Sequence, residues 1–159
     1  MSLNSENAVS LDALDRKILR ELQRDATVSL ERLAKRVGGS KTAIWNRIHR
    51  LERDGVIVKR AAVLDPERLG LTETFFIAIR TNQHNDVWLK SFTEIVRTLP
   101  EITEAHRLAG ETDYLLKVQV GSTREFDVFY KTLVANIDLY NVTSNLSMEV
   151  LKRDMGLPV

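Results

Sequence analysis

The chain contains no cysteine, which excludes a disulfide framework, a thiolate metal site and a cysteine nucleophile. Histidine is scarce too. His49, His84 and His106 are the only three, and none stands at a spacing that suggests a pair of metal ligands, so a metalloenzyme is not expected and no cofactor is implied. No apolar run approaches the roughly 18 residues that a membrane-spanning helix needs. The opening MSLNSENAVS lacks the cationic and apolar regions of a secretion signal. These absences predict a cytoplasmic protein with no membrane partner.

What is present suits a globular fold: of 159 residues, 43% are hydrophobic and 28% charged, enough for one medium domain or two small ones. The formal charge of +1 conceals a division. Up to Pro66 there are 13 Lys and Arg against 9 Asp and Glu, net +4; the rest holds 23 − 13 = 10 against 22 − 9 = 13, net −3. A basic first half beside a mildly acidic second half is consistent with a nucleic-acid module joined to something else.

Three short helical patterns precede Gly55. In LDALDRKILRELQRD, Leu11, Leu14, Ile18, Leu19 and Leu22 make one stripe, with Asp12 and Asp15 near the start, where the helix dipole favours anions. Ser29 is an N-cap candidate for LERLAKRV, whose Leu30, Leu33, Ala34 and Val37 face inward, and Gly38-Gly39 stops that helix. Ser40 is the next candidate cap. From Lys41 onward, Ile44, Ile48 and Leu51 fall on one side, while Thr42, Asn46, His49 and Arg53 lie nearly opposite, flanked by Ala43, Trp45 and Arg50. Two helices joined by a tight glycine-containing turn, the second rich in hydrogen-bonding side chains, form the pattern of a helix-turn-helix. In that motif the first turns of the second helix enter the major groove, where Asn pairs with adenine and Thr meets the thymine methyl. Lys41, Arg47 and Arg50 are placed to reach phosphates beside it. Trp45 fits either a contact with DNA or packing against the first helix or a partner subunit.

In the second half, TETFFIAIR reads as a strand buried on both faces, with Phe75, Ile77 and Ile79 on one of them. A helix follows, opened by Asn85 or Asp86, carrying Val87, Phe92, Ile95, Val96 and Leu99 and stopped at Pro100. ITEAHRLA and YLLKVQV flank the turn Gly110-Glu111-Thr112-Asp113, which suits a hairpin. Ser122 to Glu125 resembles a capping box before a helix with Phe126, Phe129, Tyr130, Leu133 and Ile137, and VTSNLSMEVLK makes a last strand. The order βαββαβ is ferredoxin-like. Such a sheet has helices on one face only, and Val118, Val120, Phe75 to Ile79 and Leu146 to Val150 supply apolar side chains to both, so a homodimer is expected.

LDALDRKILRELQRDATVSLERLAKRVGGSKTAIWNRIHRLERDGVI, the following VLDPERLGL, and HRLAGETDYLLKV together resemble the leucine-responsive regulatory protein/AsnC (feast/famine) family of transcription regulators. The resemblance covers nearly the whole chain. It implies an α+β protein: a helix-turn-helix, winged-helix-like domain over 1–60, a linker strand and hinge over 61–71, and a ferredoxin-like (RAM/ACT-like) domain over 72–159 for ligand sensing and oligomerisation. It further implies binding to double-stranded DNA through Ser40, Lys41, Thr42, Ala43, Trp45, Asn46, Arg47, His49 and Arg50. The implied assembly is a homodimer, built up into a tetramer or octamer. Two positions depart from the family pattern. Gly39 stands where an apolar residue is usual, which predicts a looser turn, and Lys41-Thr42-Ala43 lacks the proline often seen after the serine.

The turn Ala109-Gly110-Glu111-Thr112-Asp113-Tyr114 is the candidate effector site. Gly110 permits close approach, exposed amides suit a carboxylate, and Glu111 or Asp113 would pair with an α-ammonium group. The structural alternative is a hairpin loop in which Asp113 caps its own backbone. The resemblance favours a small-molecule effector, an amino acid, and Ser144 and Ser147 on the final strand are placed to add hydrogen bonds from a neighbouring subunit. A second reading comes from relatives with this two-domain plan that are tetrapyrrole (siroheme-type) decarboxylases. His106, Arg107 and His84 are the residues available for such chemistry, and they form no recognisable constellation.

Overall fold

Asp12 opens the first helix by accepting hydrogen bonds from the amides of Leu14 and Asp15 at 2.9 and 2.8 Å, while the Asp15 carboxylate accepts the Asp12 N–H at 3.1 Å. This reciprocal capping box starts α1, Ala13–Arg24, in a computed structural model that describes residues 9–83, 85–153 and 156–159. Ser29 caps α2, Leu30–Val37, by accepting from the Arg32 amide at 3.3 Å. The helix ends at Gly38, whose φ of 80° and ψ of 55° are left-handed and favour a residue without Cβ. Ser40 then caps α3, Lys41–Arg53, accepting from the Ala43 amide at 3.2 Å.

The three helices enclose Ile18, Leu19, Leu33, Ala34, Val37, Ile44, Ile48 and Leu51. Ile18, Ile44 and Leu51 are wholly buried, so truncating any of them to alanine costs ~2–5 kcal/mol. Gly39 does not loosen the turn as expected. A Cβ there would lie 2.8 Å from Ile44 Cδ1, so the buried Ile44 side chain fills the space a larger residue would occupy.

Among the described residues up to Val63 no strand forms, and residues 61–71 form none within the single chain. A strand needs a ladder partner for its amides and carbonyls, and the chain supplies none here; Val58, Val63 and Leu64 stay exposed. A single 3-10 turn, Glu67–Leu69, follows.

The chain divides into two compact units, one of residues up to Val63 together with Lys152 onward, the other Leu64–Leu151. The last residues, which the sequence groups with the second domain, pack with the first unit. Gln23 holds them with a two-way amide clamp: its Nε2 donates to the Leu157 carbonyl at 3.1 Å and its Oε1 accepts the Leu157 N–H at 2.5 Å. Arg20 Nε donates to the Val159 carbonyl at 2.9 Å, and Val159 packs against the helical core.

The second unit is a four-stranded antiparallel sheet with two helices. Its elements are β1 (Glu73–Arg80), α4 (Asp86–Thr98), β2 (Ile102–Arg107), β3 (Tyr114–Val120), α5 (Thr123–Asn136) and β4 (Asn141–Leu146). The strand order β2-β3-β1-β4 is the expected ferredoxin-like arrangement. Phe75, Ile77 and Ile79 of β1 and Leu116, Val118 and Val120 of β3 point to one face, where Trp88, Phe92, Phe129 and Leu133 of the helices cover them. Val118 and Val120 are thus core residues and not association surface. Trp88, not Val87, turns inward on α4: Val87 is 77% exposed and Trp88 only 7%. Asn85 is the cap. Ser122 caps α5, but Glu125 completes no box with it, because its carboxylate accepts the N–H of Gly121 at 2.9 Å instead.

β1 is not buried on both faces within one chain. On the uncovered side Phe76 is 37% exposed, beside half-buried Ala78 and Leu115. β4 ends at Leu146, although the Ser147 N–H still bonds the Thr74 carbonyl of β1 at 2.8 Å, and beyond it Met148, Val150 and Leu151 are exposed.

Candidate nucleic-acid interface and effector turn

The spacing of Ile44, Ile48 and Leu51 fixes which side of α3 is buried, and the opposite side is left open. Lys41, Thr42, Ala43, Trp45, Asn46 and His49 are all exposed, and Ser40 sits at the helix start, where amides and dipole favour a phosphate. Trp45 packs on neither α1 nor the core. It is 49% exposed and lies against His49, with ring centroids 3.8 Å apart. His49 Nδ1–H donates to the Trp45 carbonyl at 3.0 Å, which leaves Nε2 pointing away from that bond. The two rings, tilted 33° to each other, form one exposed aromatic patch on α3.

Arg47 and Arg50 are differently placed from the phosphate-reaching role the sequence suggests. Both turn back to the start of α1. Arg47 Nη1 lies 2.6 Å from Asp12 Oδ2 and 2.8 Å from Asp15 Oδ1, and Arg50 Nη2 lies 2.5 Å from Asp15 Oδ2. The Asp15 side chain is 1% exposed, and a carboxylate there is tolerated because two guanidiniums and the Asp12 amide satisfy it. Burial raises its pKa, but hydrogen bonds from Arg47 and Arg50 outweigh that and hold it below the usual aspartate value. Asp12 is pulled down to about 2, first by the Asp15 N–H and then by Arg47. Sequence reading assigned these aspartates to the helix dipole alone. Their ion pairs reach across more than 30 positions, a separation that periodicity does not reveal.

The second candidate site is the hairpin turn between β2 and β3. Gly110 has φ of 152°, a conformation that side chains with Cβ rarely adopt. Ala109, Gly110 and Glu111 are exposed and Thr112 is half-buried. Asp113 neither caps its own turn nor stands free. Its Oδ2 accepts the Thr81 N–H at 2.8 Å, its N–H donates to the Ile79 carbonyl at 3.0 Å, and its carbonyl accepts the Leu108 N–H at 2.8 Å. Asp113 therefore ties the hairpin to the end of β1. Tyr114 is 8% exposed and packs among Trp88 and Phe92, at centroid separations of 5.7 and 4.6 Å, as a core residue. Ser144 is exposed on β4 opposite Ile77, and Ser147 is half-buried beside Thr74. Within the one chain Ser147 Oγ donates to the Glu149 carbonyl at 3.4 Å.

Of the residues available for tetrapyrrole chemistry, His106 is exposed with Nε2 3.5 Å from Glu104 Oε2, and Glu104 is paired with Lys117 at 2.6 Å. Arg107 is exposed, and His84 lies outside the described residues. Among the described residues no group of acidic and histidine side chains is arranged to hold a metal ion, and no helix is long and apolar enough to cross a membrane.

Comparison with known proteins agrees with both halves of this geometry. Residues 11–52 match the AsnC-type helix-turn-helix domain, and residues 74–157 match the Lrp/AsnC ligand binding domain. The glutamate uptake regulatory protein of Zymomonas mobilis is 47% identical over 94% of this chain and 91% of its own length. An AsnC family transcriptional regulator from Agrobacterium tumefaciens superposes with a TM-score of 0.90 at 46% identity, covering 93% of this chain and 97% of that one. A transcriptional regulator from Neisseria meningitidis, solved in complex with L-methionine, superposes with a TM-score of 0.89 at 30% identity over 94% and 97% of the two chains.

Proposed function

Because the chain belongs to the Lrp/AsnC family of transcription regulators, we propose that it reads double-stranded DNA with the exposed side of α3 while an amino acid acts on its second unit. The observation that carries the DNA reading is the set Lys41, Thr42, Asn46 and His49, all exposed on one side of a helix whose other side is core. Asn46 and Thr42 are the base-reading groups, through an adenine edge and a thymine methyl. Ser40 and Lys41 take phosphates at the helix start. The Trp45–His49 patch contacts the groove wall. Arg47 and Arg50 act as struts, holding α3 at its angle to α1 through Asp12 and Asp15.

One small domain gives little affinity, so a homodimer presenting two copies to a two-fold symmetric site is part of the proposal. The open sheet face around Phe76, Ala78 and Leu115 supports it. Assembly of dimers into a tetramer or octamer is what the family resemblance adds. The protein acts in the cytoplasm as a binding protein and not as a catalyst.

The effector part rests on Gly110, whose backbone leaves the turn open to close approach, and on the L-methionine held by the similar Neisseria protein. With Asp113 and Tyr114 engaged inside the unit, Glu111 and the exposed backbone of Ala109 and Gly110 are the groups left to meet a ligand.

Selection of binding sites from a random duplex pool, followed by the Asn46→Ala protein on the selected duplex and its single-base variants, tests the DNA reading. Discrimination should fall by roughly 1–3 kcal/mol at particular base pairs. Unchanged affinity on every duplex would sink the assignment. For the effector, melting against a panel of amino acids should show stabilisation of about 2.7 kcal/mol at 100 times the dissociation constant. A flat panel would remove the amino acid from the proposal and leave the DNA reading intact.

A further inference from the structure

At the end of the sheet remote from the Gly110 hairpin, a cavity of about 490 Å³ opens between α5, the start of β2 and the end of β3. Leu71, Leu99, Val120, Val128 and Phe129 give it an apolar wall, and the charged residues lining it are Glu101 and Glu125, with no Lys, Arg or His. Glu101 Oε2 is buried and has no hydrogen-bond partner. So has Glu73 Oε2, on the residue directly across the ladder from Val120. A buried carboxylate oxygen left unpaired is costly and calls for a donor.

The neighbouring groups cannot supply it. The Gln119 amide nitrogen is committed to the carbonyls of Leu71 and Glu73 at 2.6 and 3.2 Å, and its oxygen accepts the Thr74 hydroxyl at 2.8 Å. Thr132 spends its hydroxyl proton on the Val128 carbonyl at 2.9 Å. Glu125 already accepts the Gly121 N–H. The Glu101 carboxylate turns about its last bond with little preference, so either oxygen can be presented to a guest.

We propose that this cavity binds a small hydrophobic primary amine, with its ammonium on Glu101 and its apolar body against Val120, Val128 and Phe129. A free amino acid fits poorly, because its carboxylate would enter a site with two acidic side chains and no cation to meet it. The site is therefore separate from the effector turn in both place and chemistry. Leu71, which lines the cavity and accepts from Gln119, lies just before β1.

Titration calorimetry on the full-length protein without DNA tests this, using isoamylamine and phenethylamine beside L-leucine and L-phenylalanine, which carry the same side chains plus a carboxylate. Both amines should bind saturably. Glu101→Gln, nearly the same shape, should weaken them by about tenfold or more. Val128→Phe, at an exposed position on α5, should block the cavity with the circular dichroism spectrum unchanged. Neither variant should alter heats measured with the amino acids. Absence of amine binding to the unmodified protein overturns the proposal, as do equal amine affinities for the unmodified and Glu101→Gln proteins, each shown to be folded by its melting curve. These outcomes are read without DNA and leave the DNA-binding proposal untouched.

Discussion

Arg50 Nη2 lies 2.5 Å from Asp15 Oδ2, a bond between the helix that presents Asn46 and the first turn of a helix 35 positions earlier. Asp15 also holds Arg47, and Arg47 reaches Asp12. The angle of α3 against α1 is thus set by one buried carboxylate as well as by apolar packing. Asp15→Asn keeps the shape and removes the charge. Because the two arginines are 30% and 37% exposed, the loss should fall near the lower end of the range for breaking a buried pair, about 2–3 kcal/mol. Urea unfolding followed by helical circular dichroism measures it. A change within error would mean that Asp15 contributes nothing beyond its cap.

The same groups set an acid limit. Asp12 and Asp15 both have folded pKa values below the ordinary 3.8, Asp12 near 2. A carboxylate whose pKa falls on folding contributes stability that is fully present above its unfolded value and is lost as pH drops through its folded value. The helical unit should therefore lose stability between pH 3.8 and about 2. Urea midpoints taken across that window should fall less steeply in the Asp12→Asn, Asp15→Asn double variant than in the unmodified protein.

Why some of this was legible in the sequence and some was not follows from how far each interaction reaches. Ser29, Ser40 and Asn85 were found as caps because a cap acts within three residues. Ile44, Ile48 and Leu51 were found because a helix repeats locally. The partners of Arg47 and Asp113, Asp12 and Thr81, are not legible in the sequence because they are distant along the chain and become neighbours only on folding. On α4 the period itself favours Trp88, which shares the stripe of Phe92, Ile95 and Leu99 and packs against Tyr114, while Val87 lies off that stripe. β4 ends earlier than its composition suggests, because composition does not state how far the ladder to β1 extends.

If Arg47 is a strut and Lys41 a phosphate contact, their alanine variants should separate cleanly. Lys41→Ala should reduce the dependence of log affinity on log salt by about one unit per contact and leave the melting temperature unchanged. Arg47→Ala should lower the melting temperature and leave the salt slope as it was. Salt titrations of operator binding, run beside thermal melts, provide both readings. The opposite assignment would return Arg47 to the DNA surface.

Phe76 tests the assembly. It stands uncovered at the middle of β1 beside Ala78 and Leu115, and burying an aromatic side chain of this kind contributes about 1.5–3 kcal/mol to whatever covers it. Phe76→Arg puts a charge on the same spot without touching the helix-covered core. Sedimentation equilibrium should show dimers of the unmodified protein and monomers of the variant, and operator affinity should fall with the loss of two-site binding. Dimers of undiminished stability would move the interface elsewhere.

Glu111 and Asp113 stand two residues apart in one acidic turn, yet their surroundings assign them opposite tasks. Asp113 accepts the Thr81 N–H at 2.8 Å, and its own N–H bonds Ile79, so it fastens the hairpin to β1. Removing its carboxylate leaves the Thr81 amide without a partner in a part-buried place, which costs about 1–3 kcal/mol. Asp113→Ala should therefore lower the melting temperature with or without an amino acid present. Glu111 is exposed, and Glu111→Ala should leave the melting temperature of the free protein unchanged while reducing the extra stabilisation that an amino acid confers. A ligand increment that survives Glu111→Ala would take the effector's ammonium away from this side chain. Equal losses of basal stability in both variants would show that the turn is structural throughout, because only a residue that meets the ligand can lose the increment and keep the baseline.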